Sequence, residues 1–208
     1  MTDLQTLRDD LAFMKQLATD EGRPHWVIGA NFLAAGLLYG VPLYLVWGIL
    51  RGLVDLPQGW TSWVSVYSTA VFIPVEILLS LKARAFRGAA PPSRITRSFG
   101  ALWGTVGLTT LVILFAIFWG GARLHVPEMW QVWCSICFAL YGSCWIGVAI
   151  VSRNRGWALV GLGAYLNALV NALLIGHGPD ILLGVATGLV LWLALPGAVL
   201  MRRASAAA

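Results

Sequence analysis

Charge is what this sequence has least of. Only 11% of its 208 residues are Asp, Glu, Lys or Arg, against 59% hydrophobic, and a soluble domain of that size could not cover itself with so little polar surface. Its solvent is therefore read as lipid. Cysteine is scarce as well: three residues cannot build a framework of two disulfides and leave no second pair for thiol exchange. Histidine also occurs three times, with His25 at one side of the chain's layout and His125 and His177 at the other, so only the last two could face each other as haem ligands, and both sit in turns beside glycine. No P-loop, Rossmann glycine pattern, Ser-x-x-Lys or His-Glu-x-x-His occurs. No catalytic constellation is visible, and no cofactor is expected.

What the chain does have is apolar length. Runs over about 25–50, 60–81, 98–121, 129–151, 156–176 and 180–201 each approach the twenty or so residues that cross a hydrocarbon core roughly 30 Å thick at 1.5 Å per residue. The expected fold is all-α: a polytopic membrane protein with a bundle of six transmembrane helices in three hairpins over 25–203, a cytoplasmic amphipathic helix over 1–24 and a disordered tail over 204–208. The first run is too long for a signal-peptide core and follows a polar segment, so it is kept as a span.

Basic residues set the orientation, because Lys and Arg of short loops stay on the cytoplasmic side. With both termini inside, twelve of the fourteen Lys and Arg residues are cytoplasmic and only Arg51 and Arg123 are outside. The net charge of +5 is thus an orientation signal, and no nucleic acid is expected as a partner. The size and charge pattern fit a multi-pass protein of a cell inner membrane.

Two cytoplasmic segments carry pattern. In "TDLQTLRDDLAFMKQLATDEGRP", Thr2 and Gln5 have capping-box spacing and Gly22 followed by Pro24 marks an end. Leu4, Leu7, Leu11 and Met14 then line up as one seam. Such a stripe must be covered by the bundle itself, by a partner helix or by the bilayer surface. The acidic balance of Asp3, Asp9, Asp10, Asp20 and Glu21 works against anionic lipid. The second segment is the basic loop 82–97, which paired prolines keep from being one continuous helix. Within the spans, Gly36 and Gly40, Gly100 and Gly104, and Gly184 and Gly188 are spaced for close helix approach, inside one bundle or between copies of a homo-oligomer.

One acid falls inside a span. Glu76 lies six residues before Lys82 in "AVFIPVEILLSLKAR", roughly 9 Å inside the cytoplasmic boundary at 1.5 Å per residue. A carboxylate there has to be protonated, turned to the bundle interior or paired. Asn31 lies at about the same depth, Thr105 a little deeper, and Arg97 could reach down from the start of the third helix. Pro74 and Pro196 interrupt two helices at that level, freeing the carbonyls of Ala70 and Trp192. The functional reading is a proton or cation site in a cytoplasm-facing cavity; the structural one is an acid tied to Arg97 or reaching toward Lys82. Asn167 and Asn171, four apart and so on one face, either hydrogen-bond across helices to specify packing or line a polar path.

Cys134 and Cys137 form a C-x-x-C near the outer end of the fourth span. That placement resembles the membrane disulfide-forming oxidoreductases, whose chemistry needs a second cysteine pair in an outer loop, which three cysteines do not provide. By ligand type, Cys134, Cys137, His125 and His177 suit Cu(I) or zinc; as buried cysteines they are small hydrophobes. Two functions follow from these patterns. One is a non-catalytic membrane protein that regulates, senses or anchors through its cytoplasmic helix and basic loop, with a cytoplasmic protein and the lipid bilayer as partners. The other is a small-solute or cation- or proton-linked transporter or channel subunit using Glu76.

Overall fold

The computed structural model describes residues 23–86, 94–126 and 128–206, and each element in them is helical: α1 (Arg23–Leu50), α2 (Trp60–Phe86), α3 (Arg94–Leu124), α4 (Met129–Ser152), α5 (Arg155–Leu173), α6 (Asp180–Leu189), a five-residue π-helical turn (Val190–Ala194) and α7 (Leu195–Ala206). The last three follow one another without a break, so six helices are long and apolar enough to cross a membrane. The cytoplasmic helix expected over 1–24 lies, apart from the start of α1, outside the described residues, as does much of the loop 82–97.

The ends of the helices differ from the apolar runs for local reasons. Arg23 and Pro24 belong to the first turn of α1, where a missing N–H is no loss and the proline φ suits a helix. A third proline inside a span, Pro42 of α1, was not among the expected helix breaks. The fifth helix stops at Leu173, short of the expected 176, because Gly176 and Gly178 take φ of +80° and +63° and fold the chain back toward α6. Helix α7 runs on to Ala206, into the stretch expected to be a disordered tail. Between α4 and α5 the connection is two residues. Arg153 takes a left-handed φ of +51°, closing α4 with its N–H on the carbonyls of Ala149 and Ile150. Asn154 then caps α5 by accepting from the Gly156 N–H at 3.0 Å, an ordinary N-cap bond. So tight a turn lays α4 and α5 against each other along their length.

Helices α1, α4, α5 and the α6–α7 rod form the packed centre, while α2 packs chiefly on α1 and α3 on α4. Much of α2 and α3 faces outward, with Phe115 of α3 70% exposed. Glycine decides where α1 meets the last rod. A Cβ on Gly36 would stand 2.5 Å from the Ala194 nitrogen, and one on Gly197 would stand 2.5 Å from the Leu33 nitrogen. The backbones therefore touch with no side chain between them. Gly184 and Gly188 serve the same rod differently, giving up their side-chain space to Asn171 and Asn167 of α5. Gly100 and Gly104 meet no described residue within 4 Å.

Trp145 of α4 is the hub of the centre, with none of its surface exposed. Its ring lies 5.3 Å from Phe32 of α1, 5.4 Å from Trp103 of α3 and, stacked, 5.0 Å from Trp157 of α5. Its indole N–H donates to the Trp192 carbonyl of the π-helical turn at 3.0 Å. That is the carbonyl Pro196 leaves without its helical partner, since proline has no N–H and its ring crowds the carbonyl four residues back. The turn widens there, with the cap N–H of Leu195 reaching Val190, as π-bulges do. The Trp192 indole in turn occupies the space beside Gly163, where any Cβ would overlap it.

At the opposite end of the bundle, Asp180 at the start of α6 accepts from Trp47 at 3.2 Å and forms an ion pair with Arg51 just beyond α1. This hydrogen-bonded carboxylate holds the Arg51 guanidinium above its ordinary pKa. The pair is exposed, so it ties down an end of α1 rather than supplying much stability.

Candidate functional site

Glu76 and Asn31 meet across the α1–α2 contact. Asn31 Nδ2 donates to Glu76 Oε1 at 3.2 Å, and both side chains are half-buried. Their remaining oxygens, Asn31 Oδ1 and Glu76 Oε2, are shielded from solvent and receive no hydrogen bond from any described residue. Two shielded acceptors without donors are a costly arrangement unless something positive completes them. A proton on Oε2 converts an acceptor into a donor; a cation offers the missing positive charge.

The surroundings decide what can reach the pair. An open groove of about 390 Å³ runs along α2, with Glu76 and Ser80 as its polar members and Phe72, Ile73, Ile77 and Leu81 as its walls. Glu76 and Ser80 are one turn apart on the same face, so the polar track leads from the acid toward the Lys82 end of the helix. Lys82 is engaged elsewhere, its ammonium 5.8 Å from the centre of the Trp26 ring. Thr105 is exposed and its hydroxyl donates to the carbonyl of Ala101 on its own helix. The Arg97 side chain lies outside the described residues. Pro74 is on α2, half a turn before Glu76, whereas Pro196 belongs to the Trp145 hub and its freed carbonyl is already taken.

The asparagine pair sits apart from this site, between α5 and α6. Asn167 Nδ2 makes a long bond of 3.4 Å to the Gly184 carbonyl. Asn171 is fully buried with neither amide atom partnered among the described residues. Both amides fill the space over glycines, Asn171 over Gly184 and Asn167 over Gly188. Cys134, Cys137 and Cys144 are buried free thiols. Among the described residues no three His, Cys, Asp or Glu side chains gather closely enough to hold a metal, so Cys134, Cys137, His125 and His177 are not brought together as a ligand set. The seam residues Leu4, Leu7, Leu11 and Met14 lie outside the described residues.

Other polar contacts had no signal in the sequence. Tyr44 donates to Thr187 Oγ1 at 2.9 Å, Gln131 accepts from the Gly176 N–H at 2.8 Å, and the hydroxyls of Ser143 and Tyr165 share a bond of 2.7 Å. Each joins residues far apart in sequence or on different helices, with nothing in the local pattern to mark them as partners. Compared with protein-family models, with curated proteins and with solved structures, the chain matches none.

Proposed function

We propose that this is a multi-pass protein of a cell inner membrane in which Glu76 and Asn31 form a proton- or cation-linked site of a small-solute transporter or channel subunit. The observation that carries the reading is the hydrogen-bonded acid and amide whose two leftover acceptors face no described donor. Acids inside membrane spans are rare and are found along ion pathways and proton relays, and the groove along α2 supplies an approach. Glu76→Gln mimics the protonated acid in shape. It should leave the thermal midpoint of the purified protein nearly unchanged while abolishing cation- or pH-gradient-driven flux into proteoliposomes. Unchanged flux in that variant would refute the reading and favour the regulatory or anchoring alternative, which rests on the N-terminal seam and the basic loop.

Both termini are proposed to be cytoplasmic, on the strength of the basic-residue asymmetry. A reporter active only in the cytoplasm should work when fused after Arg203 or within 87–93 and fail after Arg123. Activity at all three positions, or at Arg123 alone, would overturn the orientation.

A further inference from the structure

We propose that the groove between α5 and α7, about 300 Å³ in volume, holds one anionic phospholipid, with its phosphate at Arg203 and an acyl chain along the wall toward Leu191. The inference rests on reading the six helices as membrane spans and is independent of Glu76.

The groove changes character along its length. Leu191, Leu195, Val199 and Arg203 line it at a spacing of four, which puts them on one helical face. From Leu191 to Arg203 that face runs about 18 Å at 1.5 Å per residue, close to the depth of one leaflet of a core roughly 30 Å thick. Trp157 and Val160 of α5 form the facing wall. The site is apolar for the length of a chain and cationic at its mouth.

Arg203 is placed for a phosphate. Its guanidinium lies over the Trp157 ring at 5.8 Å, and Trp157 is itself held by stacking on the buried Trp145. A guanidinium laid over an aromatic face keeps its in-plane N–H groups free, and that fork matches two oxygens of a phosphate. Among the described residues no carboxylate competes for it, the one ion pair there being Arg51 with Asp180, at the other end of the bundle. Asp55 and Glu128 also lie in the loops at that far end, while Arg153, Arg155 and Arg202 stand exposed near Arg203. Charge complementarity therefore selects an anionic headgroup over a zwitterionic one.

The test is native mass spectrometry of the full-length protein released from nanodiscs containing equal phosphatidylglycerol and phosphatidylcholine. The wild type should retain one phosphatidylglycerol in preference to phosphatidylcholine. Arg203→Ala should cut that retention about tenfold, the effect of losing a charge-assisted hydrogen-bonding group. Arg203→Lys keeps the charge without the fork and should lose roughly threefold. Val199→Trp, which fills the groove with Arg203 intact, should also displace the lipid. Arg202→Ala removes a charge at the same end but outside the groove lining, and should change retention less than about twofold if the fork, rather than diffuse surface charge, holds the headgroup. Equal retention of the two lipids, or equal losses for Arg202→Ala and Arg203→Ala, would overturn the proposal. A wild-type protein that fails to float with vesicles in a density gradient would instead refute the membrane spans.

Discussion

Trp145→Ala is expected to lower the unfolding free energy of the detergent-purified protein by about 3 kcal/mol, the lower end of the range for large aromatic truncations. The lower end applies because detergent also covers apolar surface in the unfolded reference, so the loss is mainly one of packing. The side chain is fully buried and bridges α1, α3 and α5 through Phe32, Trp103 and Trp157. Truncation therefore leaves a void that no single helix can close. Trp145→Phe separates the two contributions. It keeps much of the ring contact but strands the Trp192 carbonyl, which Pro196 has already deprived of its helical partner, and an unmade bond to a buried acceptor costs about 1–3 kcal/mol. The expected order of stability, read from denaturant titration followed by tryptophan fluorescence and circular dichroism, is wild type, then Phe, then Ala. Equal stability of Phe and wild type would show that the indole N–H contributes nothing.

Gly36→Ala should destabilise the fold by about 2 kcal/mol, within the range for overpacked interiors, although alanine is the better helix former by about 1 kcal/mol. The new Cβ would lie 2.5 Å from the Ala194 nitrogen and 2.7 Å from the Leu189 carbonyl oxygen. Both are backbone atoms, which cannot swing aside as a side chain can. Gly104→Ala supplies the contrast, because no described residue lies within 4 Å of its Cβ position and helix propensity should act alone. It should be neutral or slightly stabilising in the same titration. If Gly36→Ala were harmless, the close crossing of α1 with the last rod would be wrong; if Gly104→Ala were as damaging, the Gly100–Gly104 face would be packed in solution.

The common level of Glu76 and Asn31 was legible in the sequence, whereas the geometry of their contact was not. Counting residues from Lys82 and from His25 places Glu76 and Asn31 at one level, since helical rise is constant and the ends of the spans are marked by charge. Nothing in the same stretches says that the two side chains face each other. In water a helix records its inward face as a stripe of apolar residues. In lipid the outward face is apolar too, so the stripe fades and the rotation of each span about its axis goes unwritten. Exposed Leu45 and buried Val46 of α1 are chemically much alike.

The three glycine pairs show the same division. Their spacing was readable, yet Gly36 and Gly40 are filled by α6 and the π-helical turn, Gly184 and Gly188 by asparagine side chains, and Gly100 and Gly104 by nothing described. Spacing states that a helix can be approached closely and is silent on what approaches. Pro196 behaves likewise: that it frees the Trp192 carbonyl follows from covalent structure, but that Trp145, 47 residues away in the chain, takes it up depends on how α4 lies against the last rod. By itself the sequence determined what local chemistry and the solvent can impose, namely six apolar helices, their turns and the end at which basic residues collect. Tertiary structure alone decided which faces pair, which polar atoms are left over at Glu76 and Asn31, and where a groove remains beside Arg203. Those depend on contacts between distant residues, for which a nearly uniform apolar pattern holds no record.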